Sequence, residues 1–269
     1  MKIYLMTDLE GVSGVWQWEH RDDQSAENWD YRMRARRLLT GEVNAAVAGF
    51  FDGGATEVIV NDGHGAGCTI DVELLDDRAT IIHGHQRPFW LPLLDTTCAA
   101  TALVGAHAKA GTPHANLCHS MSLEIRDYTF NGVSHGEIGM QAMIAGHYGV
   151  PMVFLSGDAH ACREVEGFVP GIVTAAVKEG LSLLSAAALS PDQACERIYG
   201  GASAAIGKVG EITPYTIPGP LTFRQECYAA TWDPEAPPAL GTVLDAHTLE
   251  VAAEDIVDLF YQLYGYPRG

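Results

Sequence analysis

Ile3-Tyr4-Leu5-Met6-Thr7-Asp8-Leu9-Glu10-Gly11-Val12-Ser13-Gly14 runs from an apolar stretch straight into two carboxylates and a glycine-containing turn. A short apolar run bounded by turn residues reads as a buried strand, here Ile3–Thr7, with Asp8–Gly14 as the turn after it. Residues 15–30 carry Trp, Asp, Glu and Gln and read as an irregular excursion. From Tyr31 to Phe51 the apolar positions Met33, Leu38, Val43, Ala46, Val47 and Phe50 recur at helical spacing, and Gly53-Gly54 stops that helix. Thr56–Val60 follows as a second strand. The order β-α-β implies a parallel pair joined by a crossover.

Working outward, Ala79–Ile82, Thr101–Gly105 and Met152–Leu155 read as further short strands. Glu137–His147 and a segment near Pro191–Gly200 read as helices. This alternation predicts an α/β fold, a mainly parallel sheet flanked by helices in three layers. Beyond Gly207 the texture changes: Pro214, Pro218 and Pro220 interrupt the chain, and Leu221–Tyr228 reads as a strand. Residues 234–241 are Pro-rich, and Val251–Tyr264 is expected to form a final amphipathic helix. The expected organisation is a catalytic core over residues 1–165 and a smaller C-terminal α+β portion over 166–269, with one continuous domain as the alternative.

Chemistry collects where the strands end. Asp8-Leu9-Glu10-Gly11 follows the first strand and Asn61-Asp62-Gly63-His64 the second. Ala106-His107-Ala108 follows the Thr101 strand, and Gly157-Asp158-Ala159-His160 the Met152 strand. Ligands of open parallel sheets sit beyond the carboxyl ends of the strands. Asp8 and Glu10, two residues apart, point to one side in extended backbone and repel unless a cation holds them. Histidines from neighbouring strand ends, His64 and His107, would complete a site suited to zinc. An exposed pair of loop carboxylates is the plain alternative for Asp8 and Glu10. Glu137 is either a first-turn glutamate favoured by the helix dipole or a further metal carboxylate. His119 is either ordinary or a general acid/base beside the metals. Asp62 is either a turn-stabilising aspartate or a partner that orients a histidine. His160 with Asp158 is the most tempting decoy.

Composition excludes several classes. Sixteen basic against 34 acidic residues leave a formal charge of -18, with no basic surplus for nucleic-acid phosphates. No apolar run reaches the length needed to cross a bilayer, and an acidic residue at position 8 comes too early for a secretory signal. Six cysteines lie far apart without a C-x-x-C pair, a pattern expected of free thiols in the cytoplasm.

Thr7-Asp8-Leu9-Glu10-Gly11-Val12-Ser13-Gly14 resembles the N-terminal signature of DppA-type zinc D-aminopeptidases. Val60-Asn61-Asp62-Gly63-His64, Gly105-Ala106-His107-Ala108, His119-Ser120-Met121 and Gly136-Glu137-Ile138-Gly139 agree in order with the same family. The likeness continues through Ser156-Gly157-Asp158 and Thr174–Lys178, and is weakest at 111–118, where His114 is an additional histidine. The resemblance implies two zinc ions per subunit: Asp8 as the bridge, Glu10 and His64 on one metal, His107 and Glu137 on the other. Manganese or cobalt also suits such donors. It implies His119 as the catalytic histidine, a short peptide or aminoacyl amide as substrate with D-residue preference, and a homo-oligomer, a decamer enclosing its active sites. The alternatives are a metal-dependent amidase acting on a non-peptide amide and, further off, a non-catalytic peptide-binding or shell-forming protein.

Overall fold

The computed structural model describes residues 1–65, 67–236 and 238–267. Its main element is a seven-stranded sheet of β1 (Lys2–Thr7), β2 (Glu57–Asn61), β3 (Ala79–Ile82), β4 (Ala100–Ala106), β7 (Met152–Asp158), β8 (Val173–Ser182) and β9 (Ser185–Ala188). The spatial order is β3-β2-β1-β4-β7-β8-β9. All neighbours pair parallel except β8 with β9. This is the mainly parallel α/β fold expected from the sequence. β1, β4 and β7 are buried along almost their whole length, as strands covered on both faces must be.

Helices α1 (Ala26–Gly53) and α4 (Pro191–Ile206) pack together, as do α2 (Glu137–His147) and α5 (Ile256–Tyr264). Helix α3 (Ala159–Glu166) packs on β7 and β8. The α1–α4 contact depends on a residue without a side chain: a Cβ on Gly49 would lie 2.4 Å from the Tyr199 carbonyl oxygen. Helix α1 begins earlier than its apolar spacing suggests because Ser25 caps it, its hydroxyl accepting from the Asn28 amide.

A second sheet is antiparallel, in the order β11 (Thr242–Asp245), β12 (Thr248–Ala253), β10 (Leu221–Cys227), β5 (Ile125–Phe130), β6 (Val133–Ser134). It corrects the expected final helix. Residues 251–253 belong to β12, where Leu249, Val251 and Ala253 are buried while Ala252 is exposed, and Val251 pairs with Phe223. The helix starts only at Ile256, capped by Asp255, whose carboxylate accepts from the Val257 and Asp258 amides. Sheet membership also crosses residue 165, which lies inside α3. β8 and β9 complete the large sheet, whereas β5, with β6 on its outer edge, pairs with the late strand β10, Phe130 opposite Phe223. No helix among the described residues is long and apolar enough to cross a membrane.

The chain leaves β1 toward β2 and β3 on one side and returns to place β4 on the other. β1 and β4 therefore flank the point where the strand order reverses, the usual position of a ligand crevice in such sheets.

Candidate metal centre

Two backbone contacts bring the ends of β1 and β4 unusually close. A Cβ on Gly11 would lie 2.0 Å from the Ala106 carbonyl oxygen, and one on Gly105 (φ +81°) 1.9 Å from that of Asp8. Glycine at both positions lets the Asp8–Gly11 turn pack directly on the β4 end. That packing sets Asp8 between two histidines: its Oδ1 lies 3.1 Å from His64 Nδ1 and its Oδ2 3.2 Å from His107 Nε2. Each carboxylate oxygen thus faces a different strand end.

Around these contacts the side chains form two groups, Asp8 with Glu10 and His64, and His107 with His119 and Glu137. In each group the potential donor atoms lie within 4.8 Å of one another. Glu10 Oε2 lies 3.0 Å from His64 Nδ1. His107 Nε2 lies 3.4 Å from Glu137 Oε1, and His119 Nε2 3.8 Å from the same oxygen. The structure therefore brings together all five residues expected as ligands, and His119 beside them. His160 is elsewhere, its Nδ1 bonded to Asp158 at 2.8 Å, and His114 belongs to neither group.

Hydrogen bonds fix which ring nitrogen faces the centre. His107 Nδ1 donates to the Ala108 carbonyl (2.9 Å), and His119 Nδ1 to that of Leu117 (3.0 Å), leaving each Nε2 for the cavity. The two rings stack with centroids 4.0 Å apart and planes 12° from parallel, while Trp18 meets His119 edge-on at 5.3 Å. Glu137, the first residue of α2, is held by the Met121 amide (2.7 Å).

Charge is concentrated here. Burial alone would raise the Asp8 carboxyl pKa, but His107 and His64 outweigh it and hold the group well below the usual carboxylate range. Burial would likewise lower both histidines, yet Glu10 and Asp8 hold His64 well above its ordinary value, and Asp8 and Glu137 do the same for His107. Glu10 Oε2 is buried and makes no directed hydrogen bond, despite its closeness to His64 Nδ1. A buried carboxylate oxygen left without a hydrogen bond, beside a His64–Asp8 pair at 3.1 Å, is a lone pair available to a cation. Carboxylate oxygens and imidazole nitrogens are donors that zinc accepts. The residues present fit such an ion.

The groups line a cavity of about 1190 Å³. Its lining includes the apolar Met6, Leu103, Ile138, Phe89 and Trp90 and also Trp18 to Asp23 from the 15–30 excursion. Among the candidate histidine-orienting partners, Asp62 takes the turn role: its Oδ2 accepts from the Thr69 and Ile70 amides at 2.8 and 3.0 Å.

Sequence reasoning gave no role to Lys178, which lies in the middle of β8 and is 3% exposed. Its ammonium donates to the Glu10 carbonyl, to the Val15 carbonyl (2.6 Å) and to Asn116 Oδ1 (2.7 Å). Burial pushes its pKa down to about 8, against the pull of Asp158, Glu10 and Glu42. Three donors meeting three acceptors hold both ends of the turn that carries Glu10. Lys178→Met strands those acceptors in the interior; each buried acceptor left unsatisfied costs about 1–3 kcal/mol, and with the burial cost of the ammonium regained the net loss for the three is roughly 3–5 kcal/mol. At about 2–4 °C per kcal/mol for a chain of this size, the unfolding midpoint should fall by roughly 6–20 °C. Calorimetry of the metal-free variant beside metal-free wild type checks this; an unchanged midpoint would contradict it.

Comparison with known proteins gives the family of the chain. Residues 1–263 match the family model of peptidase M55, described as D-aminopeptidase. A D-aminopeptidase of Bacillus subtilis (strain 168) is 35% identical over 219 residues, 81% of this chain and 78% of that protein. The chain also resembles a solved structure described as the Zn-dependent D-aminopeptidase DppA from Bacillus subtilis, a self-compartmentalizing protease. The TM-score is 0.89 at 30% identity, covering 99% of this chain and 96% of that one.

Proposed function

Because the chain belongs to the peptidase M55 family of D-aminopeptidases, we propose that it holds two zinc ions and releases the N-terminal residue of short peptides, with preference for D-residues. It is a metal-dependent hydrolase of the D-aminopeptidase type. The observation that carries the two-metal reading is the pair of Asp8 contacts, one oxygen toward His64 and the other toward His107. In this reading Asp8 bridges, Glu10 and His64 complete one site, and His107 and Glu137 complete the other.

What a bound metal pair supplies there is Lewis acidity, which acidifies water and polarises a carbonyl. His119 is the proton-transfer group: its Nδ1 is committed to the Leu117 carbonyl, so Nε2 is free to take or give a proton at the reacting centre. Its stacking on His107 and the edge of Trp18 keep the ring in place. The apolar lining residues Met6, Leu103, Ile138, Phe89 and Trp90 offer contact surface to an apolar side chain of the substrate. Asp22 and Asp23, which also line the cavity, favour a substrate with a free ammonium group.

The relative described as self-compartmentalizing supports a closed homo-oligomer for this chain too, a decamer in our reading. Leu181, Leu183 and Leu184, exposed around the β8–β9 turn, are apolar surface that such an assembly would cover. Six free cysteines suit the cytoplasm. Turnover of matched D- and L-aminoacyl amides by the zinc-loaded protein tests the substrate reading. Faster release from the D-series is expected; faster release from the L-series would overturn the stereochemical preference, and no release from either would overturn the peptidase reading.

A further inference from the structure

The excursion between β1 and α1 contains a carboxylate that the site as described does not use. Glu19 is almost enclosed, with its side chain 6% exposed, and two arginines hold it. Arg21 Nε lies 2.9 Å from Oε2, and Arg32 Nε lies 2.9 Å from Oε1. Arg32 belongs to the first turns of α1, and two neighbours on the same helix face clip the rest of the loop. Tyr31 donates its hydroxyl to the Gln17 carbonyl at 2.8 Å, and the Asn28 amide group donates to the His20 and Asp23 carbonyls at 2.7 Å each. Residues 28, 31 and 32 stand at i, i+3 and i+4, so one stripe of α1 fixes the loop. In a chain with 16 basic and 34 acidic residues, two arginines on a single carboxylate are a specific commitment.

That carboxylate faces the outer edge of His64. The ring's Nδ1 is turned toward Asp8 and Glu10, and its Nε2 lies 3.5 Å from Glu19 Oε2. Arg21 Nη2 lies at the same 3.5 Å from Nε2. The two neighbours demand opposite things of one nitrogen. An arginine can only donate, so it pairs with Nε2 as an acceptor, which puts the ring proton on Nδ1, facing Asp8 and Glu10. A carboxylate can only accept, so it pairs with an Nε2–H and leaves the Nδ1 lone pair for a cation. Arg21 commits its Nε to Glu19 and is 48% exposed in its side chain, so its Nη2 can bond solvent in place of His64, whereas Glu19 is enclosed and tied to α1.

We propose that Glu19 is a positioning residue that selects the Nε2–H tautomer of His64 and so presents Nδ1 to the metal held with Asp8 and Glu10. The proposal rests on the two-zinc reading above. It assigns to the 15–30 excursion a task in metal binding besides its place in the cavity wall. The partners that orient histidine ligands typically contribute a factor of about 10–100 in metal affinity.

The test is zinc affinity measured by competition with a chromophoric chelator, on wild type, Glu19→Gln, Glu19→Leu and Arg32→Met, all as the full chain. Wild type is expected to take two zinc ions. Glu19→Leu is expected to bind one of them about 10–100-fold more weakly and the other unchanged. Glu19→Gln preserves the shape and an acceptor but not the charge, and is expected to fall between wild type and Glu19→Leu. It also keeps the question answerable if Glu19→Leu folds poorly. Arg32→Met loosens the loop yet retains the carboxylate; a purely structural role predicts that it matches Glu19→Leu, and that result would overturn the proposal. Two zinc ions bound by both Glu19 variants as tightly as by wild type would also overturn it, while leaving the two-zinc reading intact. Wild type binding fewer than two would instead overturn that reading and the proposal with it.

Discussion

Asp8→Asn is expected to abolish both zinc sites at once and to lower kcat/KM by several orders of magnitude. The reason lies in the two oxygens. One faces His64 and the other His107, so a single carboxylate belongs to both donor groups. Asparagine keeps the acceptor for the Leu9 amide, which Asp8 Oδ1 now holds at 2.8 Å, so the turn itself should survive. It loses the charge that offsets a dication and replaces one oxygen with an NH₂ that cannot bind metal. Wild type with free zinc at about a thousand times Kd should be stabilised by about 4.1 kcal/mol per site, or roughly 8–16 °C in the unfolding midpoint. Asp8→Asn should show no such rise, and its midpoint should match that of chelated wild type. A variant that still took up both metals would show that Asp8 is not shared between them.

His119→Ala is expected to separate binding from turnover. General acid–base catalysis contributes about 10²–10⁴-fold, and that loss should appear in kcat with zinc content unchanged. The geometry makes this a sharp test, because His119 Nε2 also lies within reach of Glu137 Oε1, in the same donor group as His107. A residue that bound metal would take zinc with it when removed. Steady-state kinetics beside elemental analysis of one preparation distinguishes the two roles. Loss of one zinc would make His119 a ligand, and unchanged kcat would leave it no part in turnover.

The parts of the fold legible in the sequence are those whose patterns are local and strong. β1, β2, β4 and β7 are continuous apolar runs ending in polar turns, and α1 carries helical spacing over many turns. Because β1, β2 and β4 end at the same sheet edge, the clustering of Asp8, Glu10, His64 and His107 is legible in the sequence. The family resemblance was needed to favour Glu137 and His119, since neither has a spacing of its own that points to chemistry. The antiparallel sheet was mostly illegible for a physical reason. β5 carries exposed Arg126 within Ile125–Phe130, and its partner β10 lies far along the chain, so no local pattern announces the pair. β9 is Ser-Ala-Ala-Ala, and the second half of β8 carries Lys178, Glu179 and Gly180, all residues poor in strands. Lys178 and Glu19 were illegible because their roles come from tertiary contacts. A lysine inside a strand and a glutamate in a polar loop are ordinary in sequence, and only packing shows that one holds the Glu10 turn and the other faces His64.

The most direct test of the account is the number of zinc ions retained per chain by wild-type protein after dialysis against buffered, limiting free zinc. Two are predicted, with Glu10→Ala retaining fewer under the same conditions. One ion or none in wild type, or two in Glu10→Ala, would contradict it.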